Sequence, residues 1–255
     1  MTSPFTYDFG YGWALLWFHA VPFALGLLGL GAGVWLHWRG WVVAVSALLA
    51  AWGFAGLFFM HVVGGINAPM RVMSDQFLAS DRGRFLDIGA GSGRAAIGVL
   101  QARPHTTATA VDIYSGYFGI GDNTPARFRA NARIAGVADR VEEVKVGDMR
   151  KLPFGDGAFD AAVSTYAVDH IPRRDIPVAL REIARVLKPG SAFLLGIVNP
   201  DVWVRVTMPI SHFGLAAHHA QDPKRWHAML EEAGFEVREE GTRPATLYWL
   251  ALKRS

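Results

Sequence analysis

The charged residues of this chain are confined to one part of the sequence, and this constrains the fold more than any other feature. Residues 1–66 contain one basic residue, Arg39, and one acidic residue, Asp8, whereas residues 67–255 hold the other 24 basic and 21 acidic residues. Trp13 to Trp35 is an uncharged run of 22 helical steps. As an α-helix it would extend roughly 33 Å, which matches the hydrocarbon core of a bilayer. A second uncharged run covers residues 41–63.

Tryptophans lie at both ends of the first run and at the start of the second, as they do at the headgroup boundaries of membrane helices. A secretory signal peptide would carry basic residues before its apolar run, and residues 1–12 contain none. A soluble helical hairpin would show polar faces, which these runs lack. The sequence therefore predicts a two-helix transmembrane hairpin in residues 1–66, with spans at about 13–36 and 41–63. The six tryptophans of this part are Trp13, Trp17, Trp35, Trp38, Trp41 and Trp52.

The distribution of arginines predicts the orientation of the hairpin. Arg71, Arg82 and Arg84 follow the second run, whereas Arg39 alone lies between the runs. Because basic residues favour the cytoplasmic side, both termini are expected in the cytoplasm. We therefore expect an integral protein of a bacterial-type inner membrane, with a connector at 67–83 and a cytoplasmic domain at 84–255.

Residues 84–255 alternate between apolar β-type runs and helical patterns. This alternation predicts an α/β fold with a doubly wound, Rossmann-like sheet. The sheet is expected to have seven mainly parallel strands and an antiparallel last strand. The first strand is predicted from residue 84 to the glycine turn at 89–93. The other six strands are predicted at 106–111, 141–146, 159–164, 192–198, 235–240 and 246–253. Helices are predicted at 94–101, 124–135, 174–187 and 222–233.

A glycine turn follows the first strand and indicates a nucleotide-type ligand. Gly89, Gly91 and Gly93 would let a ligand approach the backbone at a helix N-terminus. Asp112 ends the second strand, 21 residues after Gly91, and its carboxylate can accept hydrogen bonds from both hydroxyls of a ribose. Arg94 stands where a dinucleotide fold has Gly or Ala, so the turn favours S-adenosylmethionine. An NAD(P)-dependent oxidoreductase remains the alternative enzyme class.

Residues 84–198 resemble a class I S-adenosylmethionine-dependent methyltransferase of the ubiquinone/menaquinone and small-molecule type. The resemblance is carried by Phe85-Leu-Asp-Ile-Gly-Ala-Gly-Ser-Gly93, Ala110-Val-Asp112, Gly147-Asp148-Met149, Phe159-Asp160 and Glu182–Gly190. It implies that Asp87 and the 89–93 backbone lie beside the methionine part of the cofactor, and that Asp112 holds the ribose. It also implies that Asp148 and the Met149 amide bind the adenine. The candidate cofactor-binding residues are Asp87, Gly89, Ala90, Gly91, Gly93, Asp112, Ile113, Asp148, Met149 and Ser164.

The acceptor pocket is expected after the fourth strand. Tyr166, Asp169 and His170 are the candidate catalytic residues there. His170 would be a general base that Asp169 orients or charges, although a histidine that packs at the strand end is the alternative. A base matters most for a hydroxyl acceptor, because transfer to sulfur or to an unprotonated amine can need alignment alone.

Two further segments are long for this fold and apolar. Residues 113–123 form a loop beside the ribose site that would cover the cofactor, face the bilayer or pack as a small core patch. Residues 200–221 are expected to form a substrate lid. The lid includes His212, His218 and His219, but no acidic ligand lies between them, so no metal site is predicted.

These observations predict a membrane-anchored S-adenosylmethionine-dependent methyltransferase. Its acceptor would be small and apolar or lipid-like, would enter between the connector and the lid, and would be methylated on O, N or S. A non-catalytic S-adenosylmethionine-binding membrane module is the other alternative. A nucleic-acid substrate is disfavoured, because there is no cysteine nucleophile, no Asn/Asp-Pro-Pro motif after the fourth strand and no basic face. The oligomeric state stays open. Deletion of residues 1–66 is expected to leave cofactor binding nearly intact.

Overall fold

The computed structural model describes residues 7–115, 123–207 and 222–255. A seven-stranded sheet forms the centre of the second part of the chain, and its strands lie in the order β3-β2-β1-β4-β5-β7-β6. The sheet confirms the predicted Rossmann-like class. The strands are β1 (Gly83–Ile88), β2 (Thr106–Asp112), β3 (Val141–Val146), β4 (Phe159–Thr165), β5 (Leu187–Val198), β6 (Phe235–Arg243) and β7 (Thr246–Lys253).

The first five strands are parallel, and β7 is antiparallel to both of its neighbours, as predicted. The start of β5 is irregular. Leu187 pairs with Phe159, but regular pairing with β4 begins only at Ala192, after the Lys-Pro-Gly-Ser segment. Because parallel strands end at the same edge, the last residues of β1, β2 and β4 converge there.

Helices cover both faces of this sheet, because each strand buries side chains on both sides. They are α4 (Arg94–Ala102), α5 (Pro125–Ile134), α6 (Ile176–Val186) and α8 (Pro223–Glu232). Helices α4 and α5 pack into one buried cluster, and α6 and α8 pack into the other. Thr124 caps α5 by accepting from the Arg127 amide, and a proline occupies the first turn, as the sequence predicts. A short helix, α7 (Val202–Thr207), follows β5.

The apolar N-terminal part folds as antiparallel helices that pack closely. They are α1 (Trp13–Trp17), α2 (Ala20–Trp35) and α3 (Gly40–Phe58), and α3 continues into a π-helical turn (Phe59–Val63). Small residues allow the close approach of α2 and α3. A Cβ on Gly26 would overlap the Ala50 backbone, and one on Gly53 would overlap the Phe23 backbone.

The prediction of a continuous first span at 13–36 is wrong. The chain breaks its helix at Phe18-His19, and α2 has 16 residues, or about 24 Å. The ring of Pro22 would collide with the carbonyl of Phe18 four residues earlier, so a helix cannot pass through both residues without distortion. Among the described residues, Gly40–Val63 is the one helix long and apolar enough to cross a membrane, on length and composition alone.

The segment before α1 packs in the core of the domain that is built around the sheet. Tyr7 and Phe9 are buried with residues of α4 and α5. Asn131 of α5 is buried and pairs with both backbone groups of Asp8: the Asp8 amide donates to Oδ1 at 3.0 Å and Nδ2 donates to the Asp8 carbonyl at 2.7 Å. The predicted hairpin domain of residues 1–66 therefore includes residues, before α1, that belong to the core of the following domain.

Candidate active site

The glycine turn lies at the carboxyl edge of the sheet, between β1 and α4. Gly89, Gly91 and Gly93 have φ values of +70°, +52° and +89°, which favour glycine. A Cβ on Gly89 would overlap the side chain of Ala167. The Gly89 and Ala90 amides both donate to the Val111 carbonyl, at 2.8 and 3.2 Å, so the turn is fixed to the end of β2.

Two carboxylates accept hydrogen bonds from backbone amides in or near this turn. The Asp112 Oδ2 accepts from the Gly91 amide at 2.9 Å, and its Oδ1 accepts from the Tyr114 amide at 2.6 Å. Asp87 is buried, and its Oδ2 accepts from the Ala96 amide at 2.9 Å. Burial raises the pKa of Asp87 to about 7; the nearby Asp112 carboxylate also raises it, and the Ala96 hydrogen bond lowers it.

A cavity of about 1360 Å³ opens over this edge. Six of the ten predicted cofactor-binding residues line it, and so do the predicted catalytic residues Tyr166 and His170. The six are Gly89, Gly91, Asp112, Ile113, Asp148 and Met149. The other four, Asp87, Ala90, Gly93 and Ser164, are not part of the lining.

Ser164 has a structural partner. It is fully buried, and its hydroxyl donates to the Ile88 carbonyl at 2.7 Å, which links the end of β4 to the end of β1. Asp87, Ala90 and Gly93 similarly shape the turn without lining the cavity.

Asp148, the predicted adenine ligand, is paired with a residue that the sequence analysis did not select. Arg150 donates to it through Nε at 3.0 Å and through Nη2 at 2.6 Å, and Nη1 reaches Asp175 at 2.8 Å. These hydrogen bonds hold the pKa of Asp148 below its usual value. Its carboxylate is therefore ionised and retains lone pairs for a further donor. The sequence signal for this ion pair is Arg150 itself, a basic residue two positions after Asp148.

The end of β4 carries the predicted acceptor-side residues. Tyr166 has a φ of +52°, a strained value for a non-glycine residue, and its amide donates to the Gly196 carbonyl at 2.8 Å. Its hydroxyl is hydrogen-bonded to the hydroxyl of Thr246. Burial raises the pKa of Tyr166, so the phenol is neutral near pH 7.

The short helical turn Val168–His170 follows at this edge. Asp169 is buried, and its Oδ2 accepts from the Val198 amide at 2.9 Å, which ties the turn to the end of β5. His170 is half-buried in the cavity wall, as a base that acts on a bound acceptor must be.

The N-terminal part also forms walls of this cavity, and the sequence analysis missed most of that contribution. Tyr11 and the π-helical turn Phe59–Val63 line it, as does Arg94. His61 lies in the wall with both ring nitrogens engaged: Nε2 contacts the Leu16 carbonyl at 2.9 Å, and the Asn67 amide contacts Nδ1 at 3.2 Å. The contact between His61 and Leu16 joins residues 45 positions apart, so local patterns give no signal for it.

Several predicted features lie wholly or partly outside the described residues. The 113–123 loop is described at residues 113–115 and 123, where Ile113 is exposed beside the cavity. The lid is described at residues 200–207, and its histidines His212, His218 and His219 fall outside. Within the described ranges, no group of metal-ligating side chains is found.

The residues at this edge fit S-adenosylmethionine. Gly89 and Gly91 leave backbone open to the cavity where a side chain would fill the space. The Asp87 Oδ1 is buried and has no hydrogen-bond partner among the described residues, which suits a cationic ligand beside this turn. Asp112 lies at the end of β2, where a ribose would be held.

The comparisons with known proteins agree with this fit. A family model described as a methyltransferase domain matches residues 86–195. A structure of an S-adenosylmethionine-dependent methyltransferase from Methanosarcina mazei superposes with a TM-score of 0.52 and 21% identity, over 68% of this chain and 93% of the other. An O-methyltransferase family 2 protein from Planctomyces limnophilus, solved with apigenin, gives a TM-score of 0.57 and 18% identity, over 86% of this chain and 68% of the other. Residues 86–195 are therefore similar to a methyltransferase domain, and the sheet around them has the fold of S-adenosylmethionine-dependent methyltransferases.

The sequence relatives are more specific. The chain is 39% identical over 112 residues to the ubiquinone/menaquinone biosynthesis C-methyltransferase UbiE of Methylobacterium nodulans, which is 44% of this chain and 40% of that protein. It is 34% identical over 174 residues to the UbiE protein of Brucella anthropi, which is 59% of this chain and 62% of that protein. The chain therefore spans less than two thirds of the length of these relatives.

Proposed function

We propose that this enzyme methylates a ring carbon of a lipophilic, reduced quinone-type acceptor that enters the site from a bilayer. The observation that carries the proposal is the cavity itself. Its walls run from Asp112 at the cofactor edge to the π-helical turn Phe59–Val63 at the end of the apolar hairpin. One continuous space therefore joins the cofactor edge to the part of the molecule that suits lipid.

The lining of the acceptor part favours an apolar ring and tail over a charged metabolite. Phe59, Met60 and Val63 contribute from the hairpin end. Met70 and Val204 contribute from the connector and α7. The relatives named as quinone C-methyltransferases support a quinol ring as the head of this acceptor.

Carbon methylation of a quinol ring requires an aligned acceptor and a place for one proton. When bound at this edge, S-adenosylmethionine would supply the methyl group from its sulfonium, and the electron pair of the broken carbon–sulfur bond would stay on sulfur. The ring carbon contributes the electron pair of the new bond and loses its proton, which His170 accepts. Tyr166, as a neutral phenol at the strained end of β4, positions the ring hydroxyl.

We infer that the hairpin lies in the membrane. The helix Gly40–Val63 has the length and composition of a span. Helices α2 and α3 expose large apolar side chains away from their mutual contact, which solvent would disfavour. The catalytic domain would lie in the cytoplasm, where the sequence analysis places both ends. The exposed side chains include Leu25, Leu28, Val34, Trp35, Trp41, Val45, Leu48 and Phe54.

The proposal is tested with the full-length chain in lipid nanodiscs and S-adenosylmethionine labelled on its methyl group. The probe acceptor is a prenylated naphthoquinol that lacks one ring methyl and is kept reduced. We expect one label per released S-adenosylhomocysteine, and mass fragmentation that locates the methyl on a ring carbon. Label on a phenol oxygen or on a thiol would overturn the quinone assignment. S-adenosylhomocysteine binding without transfer to the probe or to any component of a lipid extract would support the non-catalytic module instead.

A further inference from the structure

The segment that joins the hairpin to the catalytic domain is fixed to the first turn of α4. We define residues 64–70 as the junction. The Arg94 guanidinium donates to three junction carbonyls: Nε to Ala68 at 3.0 Å, and Nη2 to Gly64 at 2.7 Å and to Gly65 at 2.9 Å. Three acceptors on a short segment fix both its position and its path, because the guanidinium is planar and its donors are fixed.

Two backbone contacts support the same arrangement. The Met70 amide donates to the Arg94 carbonyl at 2.9 Å. The Met70 carbonyl lies directly on Gly98, where any Cβ would overlap it. Both ends of the junction therefore contact α4. On the helix, the contacts are made by Arg94 at its first position and by Gly98 one turn later.

This contact connects the two halves of the active site. Arg94 follows the glycine turn directly, and Gly64 follows the π-helical turn Phe59–Val63 directly. Both the glycine turn and the π-helical turn line the cavity. We propose that Arg94 is a positioning residue that fixes the hairpin end as the acceptor-side wall of the active site. The part that concerns the acceptor rests on the function proposed above.

Two variants disturb this contact in different ways. Arg94→Met removes the donors and retains an apolar stem. Gly98→Ala leaves Arg94 intact and displaces the Met70 carbonyl. Arg140→Met is the matched control, because Arg140 also donates to three carbonyls, at the other end of α4 and away from the junction. Its acceptors are Leu100 at 2.8 Å, Arg103 at 3.2 Å and Thr106 at 3.5 Å.

The experiment uses the full-length chain in nanodiscs and three measurements. Amide exchange of residues 64–70 is expected to rise about tenfold or more in Arg94→Met and Gly98→Ala, the factor that loss of one charge-assisted hydrogen bond gives. KM for the quinol probe is expected to rise about tenfold in both, with kcat reduced less. The dissociation constant of S-adenosylhomocysteine is expected to stay within about twofold. Arg140→Met is expected to change neither the exchange of the junction nor KM.

Two results would overturn the proposal. A tenfold weaker S-adenosylhomocysteine affinity in Arg94→Met but not in Gly98→Ala would make Arg94 a cofactor ligand. Unchanged junction exchange in both variants would show that the contact does not hold the segment. If the wild-type chain fails to methylate the probe, the proposed function fails, and the exchange and cofactor-binding measurements still decide the role of Arg94.

Discussion

At the scale of single residues, Asp112 has two tasks that its position at the end of β2 combines. It holds the Gly91 amide, and it faces the cavity where the ribose is expected. Asp112→Ala is therefore expected to weaken S-adenosylhomocysteine binding by about 1.5–3 kcal/mol, measured by calorimetry on the full-length chain. Asp139→Ala, an exposed acid beyond α5, is the control and should bind normally. An unchanged dissociation constant for Asp112→Ala would mean that the ribose lies elsewhere.

The raised pKa of Asp87 predicts that the stability of the protein depends on pH. Because burial raises its folded-state pKa to about 7, the carboxyl costs the fold least below about pH 4, and stability is lost progressively as the pH rises from about 4 to about 7. In the cofactor-free protein, the melting temperature of Asp87→Asn should therefore rise relative to that of the wild type between pH 5 and pH 8. This relative rise should be about 2–4 °C or more. A difference in melting temperature that is the same at both pH values would contradict the raised pKa.

His170 is the expected base, so its replacement should slow the chemical step and leave cofactor binding unchanged. His170→Ala should lower turnover of the quinol probe about 10²-fold or more, with the S-adenosylhomocysteine dissociation constant nearly unchanged. His105→Ala, an exposed histidine paired with Asp81, is the control. Full activity of His170→Ala from about pH 6 to 9 would leave His170 as a packing residue at the strand end.

At the scale of elements, Asn131 joins three parts of the fold. Besides the Asp8 backbone, its Nδ2 donates to the Ser92 carbonyl in the glycine turn at 3.0 Å. Asn131→Ala would leave buried backbone groups without partners and should lower the free energy of unfolding by about 1–3 kcal/mol, measured by denaturant titration. Arg133→Ala, an exposed change on the same helix, should cost much less. Equal losses for the two variants would show that residues 7–11 do not stabilise the core.

The elements show which parts of the fold a sequence can reveal. The glycine turn, the Thr124 cap and the apolar β5 are local signals, and the bounds of the elements they predict agree with the structure to within five residues. The break before α2 also had a local signal in Pro22, which the hydropathy pattern concealed. The docking of Tyr7 and Phe9 had none, because Asp8 and Asn131 are 123 residues apart.

The same distinction applies to the site. The position of Asp112, Gly89 and Gly91 at the cavity could be predicted, because it follows from motif spacing at strand ends. The role of Ser164 depends on a carbonyl of a neighbouring strand, and that of Arg94 on a segment about 30 residues earlier. Such long-range hydrogen bonds have no signature in local sequence.

At the scale of the whole molecule, residues 1–66 cannot be deleted as one unit without loss to the catalytic domain. Deletion of residues 1–66 removes Tyr7 and Phe9 from the core and Tyr11 from the cavity wall, so the earlier expectation of intact cofactor binding no longer holds for that truncation. A sharper variant keeps the segment before α2 and the cavity-lining turn Phe59–Val63, and replaces residues 20–58 with a Gly/Ser linker. The flanks are close, because His61 contacts the Leu16 carbonyl at 2.9 Å. This variant should bind S-adenosylhomocysteine within about threefold of the full chain, since its cofactor edge and core remain.

The most direct test of acceptor delivery from the bilayer compares this variant with the full chain on two probes. One is the prenylated naphthoquinol in vesicles, and the other is the same quinol head without a tail, in solution. The full chain is expected to show a kcat/KM at least about tenfold higher for the vesicle-bound probe, and the linker variant should lose that preference while its rate on the soluble head is retained. Equal preference in the two proteins, with S-adenosylhomocysteine binding intact in both, would contradict delivery of the acceptor through the hairpin.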